Sequence, residues 1–174
     1  MRGLLLSLAA LAAAFTAPAM AAEFTPGVYL AVDTARASVS SKYAESSNDI
    51  SLGGRIGYQY TPNFGFDVYS RSLNLNPFRD IFTEAGYYPE RHYGIAAQGT
   101  VSLNERFSLY GRAGIGRTSM HATRTTMEDK DETDGLAGVG VSFNFSRQWS
   151  MNAEASYLTK TEVKLISLGA RFQF

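Results

Sequence analysis

Residues 134–160 read DGLAGVGVSFNFSRQWSMNAEASYLTK, and their alternation decides the fold. Ala137, Val139, Val141, Phe143 and Phe145 fall on one face of an extended chain, with Gly138, Gly140, Ser142 and Asn144 on the other. Ser146-Arg147-Gln148 is a tight turn of turn-forming residues. The pattern then resumes, Met151, Ala153, Ala155 and Tyr157 against Asn152, Glu154 and Ser156. A period of two on both sides of a short turn is a β-hairpin.

The same period runs outward in both directions. Asp49–Tyr60, Phe64–Leu75, Arg106–Thr118 and Val163–Phe174 alternate cleanly, and Gly27–Arg36 and Arg91–Leu103 do so less cleanly. With Asp134–Phe145 and Trp149–Lys160 these make eight strands of the length a tilted membrane strand requires. Thr61-Pro62-Asn63 and Asn104-Glu105 are further short turns. Ala37–Asn48, Asn76–Glu90 and Ser119–Thr133 are long, polar connections, and the connection near Thr161-Glu162 is short. Alternating short turns and long loops predict an all-β fold, an eight-stranded antiparallel up-and-down transmembrane β-barrel.

The amino terminus sets the compartment. Arg2 precedes an apolar run from Leu4 to Phe15, and Ala19-Met20-Ala21 fits an A-x-A cleavage site. Residues 1–21 therefore read as a secretory signal peptide and residues 22–174 as an outer-membrane barrel domain. The chain has no cysteine, which removes lipidation, disulfides and thiol nucleophiles together. Sixteen Lys and Arg balance sixteen Asp and Glu, so no global field attracts nucleic acid. Slightly negative mean hydropathy does not argue for a water-soluble protein, because a membrane barrel alternates lipid-facing and lumen-facing residues. A soluble barrel would present Lys and Glu on its polar face, but here that face carries Gly, Ser, Asn and isolated charges.

If the chain enters from the periplasm, Tyr58, Tyr60, Phe64, Phe66, Phe107, Phe143, Phe145, Trp149, Phe172 and Phe174 collect at one rim on the apolar face. That is the expected aromatic girdle of a membrane interface. The polar face carries Arg55, Asp67, Arg71, Arg112, Glu154 and Arg171, the expected lumen charge network. Arg55, Arg112 and Glu154 belong near mid-height, with Asp67 and Arg171 lower. Buried charges must pair, so the network is read first as structural.

The stretches Gly57–Asp67 (GYQYTPNFGFD), Leu109–Gly114 (LYGRAG) and Ser167–Phe172 (SLGARF) resemble the OmpA-type transmembrane domain and its small outer-membrane relatives of the opacity and OmpX kind. The resemblance implies outer-membrane lipid and lipopolysaccharide as surroundings. It also implies recognition of the terminal Phe174 by the barrel-assembly machinery. The chain stops at the barrel, so cell-wall anchoring by a peptidoglycan-binding domain is not implied. In that family a lumen network holds the barrel shut or gates a narrow path, and a small diffusion pore is the alternative reading.

Some small barrels of this kind are lipid A deacylases. Ser119 and His121, with Glu128 or Glu132, are the nearest imitation, placed by the alternation in the third loop. The His-x-Ser signature is absent, and a mobile loop does not hold such groups for proton transfer. No catalytic residue, cofactor or metal site is expected. His92 is expected as a polar rim residue, and Glu128–Glu132 as a solvated acidic tip. Tyr43, Phe78, Ile81, Phe82, Tyr87 and Tyr88 make the first two loops aromatic; such side chains can anchor host or phage contacts there, and equally can pack on one another or meet the lipopolysaccharide layer.

Overall fold

The computed structural model describes residues 24–38, 48–73, 87–122 and 130–174. The predicted signal peptide and the loop aromatics Tyr43, Phe78, Ile81 and Phe82 lie outside these residues, as does Glu128. Eight strands follow in order: β1 (Gly27–Ser38), β2 (Asn48–Thr61), β3 (Phe64–Ser72), β4 (Tyr87–Ser102), β5 (Phe107–Ala122), β6 (Lys130–Asn144), β7 (Trp149–Leu158) and β8 (Lys164–Gln173). Each pairs antiparallel with its neighbours in sequence, and β8 closes on β1 from Tyr29↔Gln173 to Ser38↔Lys164. The predicted fold is the observed one. Closure satisfies the edges that hydrocarbon cannot tolerate.

The faces are inverted relative to a water-soluble protein. Outward side chains include Val32, Ile56, Val139 and Ile166, the last 72 % exposed, while Asp67 and His92 on the inner face are 2 % and 1 % exposed. Large aliphatic residues so exposed are stable only against lipid.

The rim that carries Gly27 and Phe174 is built from short turns, each closed by a side chain. Asn104 Oδ1 accepts from the amides of Arg106 and Phe107 at 2.9 and 2.8 Å. Ser146 Oγ accepts from the Gln148 and Trp149 amides at 3.3 and 2.9 Å. These are the local hydrogen bonds that make Asn and Ser turn formers.

At the opposite rim the strands are longer than the alternation indicates. β4 begins at Tyr87 rather than Arg91, β5 continues to Ala122, and β6 starts at Lys130. The apolar signal fades there because the outward residues, Arg91, Arg117, Ser119, Asp131 and Thr133, are polar while the ladder continues. Three strands of 16, 16 and 15 residues therefore stand above neighbours of 9 and 10. Pro89 sits beside a register shift in β4, above the end of β3, where a strand edge tolerates a missing donor.

Inside, two glycines make room for aromatic rings. A Cβ at Gly57 would overlap the Tyr29 ring, and one at Gly140 would overlap the Tyr110 ring. Each tyrosine thus lies flat over the bare backbone of its partner on the adjacent strand.

Candidate functional site

The lumen is filled in levels. Midway, six ionised side chains from five strands form one chain of alternating sign. Arg71 pairs with Asp33, and Asp33 Oδ2 faces Arg55 Nε at 3.8 Å. Arg55 Nη1 donates to Glu154 Oε2 at 3.2 Å, and Arg112 Nη1 donates to Glu154 Oε1 at 3.2 Å. Arg112 Nη2 then reaches Asp67 Oδ1 at 2.6 Å. Three cations meet three carboxylates, so the level is neutral as a whole.

Hydroxyls occupy further acceptors on Asp67 and Glu154. Tyr29 donates to Asp67 Oδ2 at 2.9 Å and Tyr110 to Glu154 Oε2 at 3.1 Å. Arg71 Nη1 donates to Ser51 Oγ at 3.2 Å, and the Ser51 hydroxyl donates in turn to the Ser72 carbonyl at 2.6 Å. A charged group in this enclosure is tolerable only with such partners.

The structure brings together Arg55, Asp67, Arg71, Arg112 and Glu154 of the expected set. It does not bring in Arg171. That guanidinium donates to Gln59 Oε1 at 2.9 Å and Gln173 Oε1 at 3.0 Å and stacks 3.7 Å over the Tyr29 ring. Arg171 lies nearer the lower rim, where the neighbouring inward residues are amides and a phenol. Asp33 was missed because its strand alternates weakly in sequence, with small alanines at its inward positions.

Above the charges lies a layer the alternation does not announce. Leu73, Leu136, Leu158, Val163 and Leu165, with Ala35, Ala37, Tyr69 and Ala96, form one buried apolar cluster. Leu73, Leu158 and Leu165 sit at strand ends and Leu136 within β6, all on the inward parity, where a polar residue would be expected.

His92 is not a rim residue. It is 1 % exposed and points inward, because β4 begins five residues before it. Tyr69 Oη lies 2.8 Å from its Nε2, and Thr118 Oγ1 lies 2.9 Å from its Nδ1. Thr118 donates onward to Asp134 Oδ2 at 3.4 Å. Thr118 must therefore accept from Nδ1–H, which leaves Nε2 to accept from Tyr69. Asp134 also accepts from the amides of Lys160 and Thr161 at 2.7 and 3.1 Å and from the Thr161 hydroxyl at 2.5 Å. It clasps the β7–β8 turn, in which Glu162 adopts φ 54°.

Ser119 lies on β5 rather than in a loop, and its hydroxyl donates to Asp131 Oδ1 at 2.8 Å. His121 sits opposite Tyr88 in the same ladder. Outside the wall, the lower-rim aromatics touch in a series. Phe107 and Phe143 centroids lie 5.0 Å apart, Trp149 and Phe172 4.9 Å, and Phe172 meets Phe174 edge-on at 4.9 Å. Tyr58 and Phe66 form another pair at 6.0 Å.

The outer membrane protein beta-barrel domain family matches residues 7–174. The chain belongs to that family. No curated protein matches it in sequence. Among solved structures, this outer-membrane barrel is similar to Ail, the attachment invasion locus protein of Yersinia pestis, at 19 % identity and a TM-score of 0.60, covering 85 % of this chain and 99 % of Ail. Neisserial surface protein A matches at 19 % identity and a TM-score of 0.62, over 87 % of this chain and all of that one (100 %). The N-terminal β-barrel domain of Pseudomonas aeruginosa OprF matches at 14 % identity and 0.59, over 86 % and 100 %. At these identities the likeness establishes the shared barrel fold.

Proposed function

We propose that this outer-membrane barrel is a non-conducting anchor that presents its tall β4–β5–β6 wall outside the cell as a recognition surface. The carrying observation is the contrast between a lumen sealed twice and a wall that outgrows its membrane. A tilted strand needs about 9–11 residues to cross the hydrocarbon. Strands of 16, 16 and 15 residues exceed that by four to seven, roughly 14–24 Å of extra ladder at ~3.4 Å per residue. In this reading residues 1–21 direct export, the short-turn rim faces the periplasm, and the aromatics from Tyr58 to Phe174 lie at that interface. Ail, described as an attachment invasion locus protein, has the same fold. The sealed lumen speaks against the diffusion pore, and Ser119 bonded to Asp131 speaks against a serine nucleophile.

The test uses cysteines placed in the cysteine-free chain. On intact cells a membrane-impermeant maleimide polymer should label Thr133→Cys on the wall and not Glu105→Cys on the opposite rim. Polymer at Thr133→Cys should then block attachment of the cells to host-cell surfaces. Label at Glu105→Cys alone would reverse the orientation. Unimpaired attachment under full labelling would overturn the recognition role.

A further inference from the structure

Among the described lumen side chains, His92 alone carries a group whose ordinary pKa, about 6.5, lies near neutrality. Its two ring nitrogens face opposite charges. On the Nε2 side, Tyr69 donates at 2.8 Å, and the Arg112 guanidinium stands 5.4 Å over that same tyrosine ring. Arg71 lies directly across from His92 in the β3–β4 ladder. On the Nδ1 side, Thr118 links the ring to the Asp134 carboxylate. The other charged groups around it have partners or lie apart. Asp33, Arg55 and Glu154 line one small cavity with His92 and belong to the paired level below it. Glu132, across the β5–β6 ladder from Thr118, pairs with Lys160, while Glu90, Arg91 and Arg117 are exposed.

The hydrogen bonds require a neutral ring, Nδ1 donating and Nε2 accepting. A proton taken up from the medium at Nε2 leaves two donors and no acceptor. The Tyr69 hydroxyl must then turn its hydrogen away. Arg71 and Arg112 repel the new charge and Asp134 attracts it, so both forces drive the ring off Tyr69 and toward Asp134. Each end of that displacement touches the apolar layer. Tyr69 is a member of it. Asp134 holds the Lys160 and Thr161 amides of the turn between Leu158 and Val163, two fully buried members joined by the Leu158 amide on the Val163 carbonyl at 2.9 Å.

We propose that His92 is an acid-operated latch on the apolar seal: its protonation trades the Tyr69 bond for attraction to Asp134, and the β7–β8 turn that carries Leu158 and Val163 shifts in response. The test is nuclear magnetic resonance on the full chain in lipid nanodiscs, with carbon-13 histidine, titrated from about pH 8 to 4. The His92 ring signal, identified by its loss in H92Q, should titrate reversibly, and the Lys160 and Thr161 amide signals should move with the same midpoint. In H92Q that movement should vanish. D134N keeps an acceptor for the turn but removes the charge, so its His92 should bind the proton roughly tenfold more weakly, with the two amides no longer following the ring. A parent ring that stays neutral throughout would overturn the latch, as would a ring that titrates while both amides stay still. Amide movement that persists in H92Q would overturn it too. If H92Q does not fold, D134N decides, since an unchanged midpoint or an unchanged amide response there is equally fatal.

Discussion

Arg112 and Asp67, on β5 and β3, meet at 2.6 Å with side chains 4 % and 0 % exposed. The same guanidinium holds Glu154 at 3.2 Å. Arg112→Ala therefore strands two carboxylates without their shared partner. Loss of one member of a buried ionic set costs about 3–5 kcal/mol. Urea unfolding of the refolded protein in lipid vesicles should show a destabilisation of that size. A loss below about 1 kcal/mol would mean the lumen is wet enough to solvate both acids.

Glu154→Ala opens the charged level but leaves Leu73, Leu136, Leu158, Val163 and Leu165 above it. Two seals in series do not leak when one fails. In planar bilayers E154A should show the same near-zero current as the parent, and only a variant that also carries Leu136→Ser and Leu165→Ser should conduct. Steady current through E154A alone would make the ion chain the only seal.

The barrel was legible because membrane strands write their two faces with different chemistry, as Met151–Tyr157 shows against Asn152–Ser156. The strand tops were not, because Arg91, Arg117 and Thr133 leave the lipid and the outward face stops being apolar while hydrogen bonding continues. Charged lumen residues could be named from parity, but not their partners. Pairing crosses the barrel, so Arg55 finds Glu154 ninety-nine residues away. Asp33 and Arg171 mark the limit: both face inward, yet only the first has an opposite charge within reach. The leucine layer and the Asp134 clasp depend on how strand ends and one turn fold inward, which period-two reading does not address.

Gly140 lies beneath the ring of Tyr110, and that ring delivers its hydroxyl to Glu154 at 3.1 Å. Gly140→Ala forces the ring aside and costs both packing and a charge-assisted hydrogen bond. A destabilisation of about 2–3 kcal/mol is expected. Tyr110→Phe alone keeps the packing and should cost nearer 1–2 kcal/mol. Additive losses in the double variant would show that the two residues act independently.

Asp134 closes the β7–β8 turn through Lys160, Thr161 and, more weakly, Thr159. Asp134→Ala removes the acceptor for two buried or part-buried amides and should cost about 2–4 kcal/mol. It should also expose the turn to limited proteolysis near Lys160. Glu162, at φ 54°, tests the backbone of the same turn. Both Glu162→Gly and Glu162→Val remove its carboxylate, and the valine variant should be about 1–2 kcal/mol less stable than the glycine one, since a β-branched residue resists the left-handed region. Equal stability of the two variants would show that the turn relaxes.

Phe174 is 67 % exposed and directly follows the last strand, its amide donating to the Val28 carbonyl at 3.0 Å. That bond survives Phe174→Ala, and the ring's aromatic contact among the described residues is its edge-on approach to Phe172. Folded stability should therefore fall by no more than about 1 kcal/mol. If the terminal ring is instead read by the assembly machinery, the cost appears only in cells. F174A should refold from urea into vesicles like the parent, yet accumulate in the outer membrane severalfold more slowly in pulse-chase labelling. Matching kinetics in both settings would remove the assembly role. A matching deficit in both would make Phe174 an ordinary structural residue, so comparison of the two rates separates signal from scaffold.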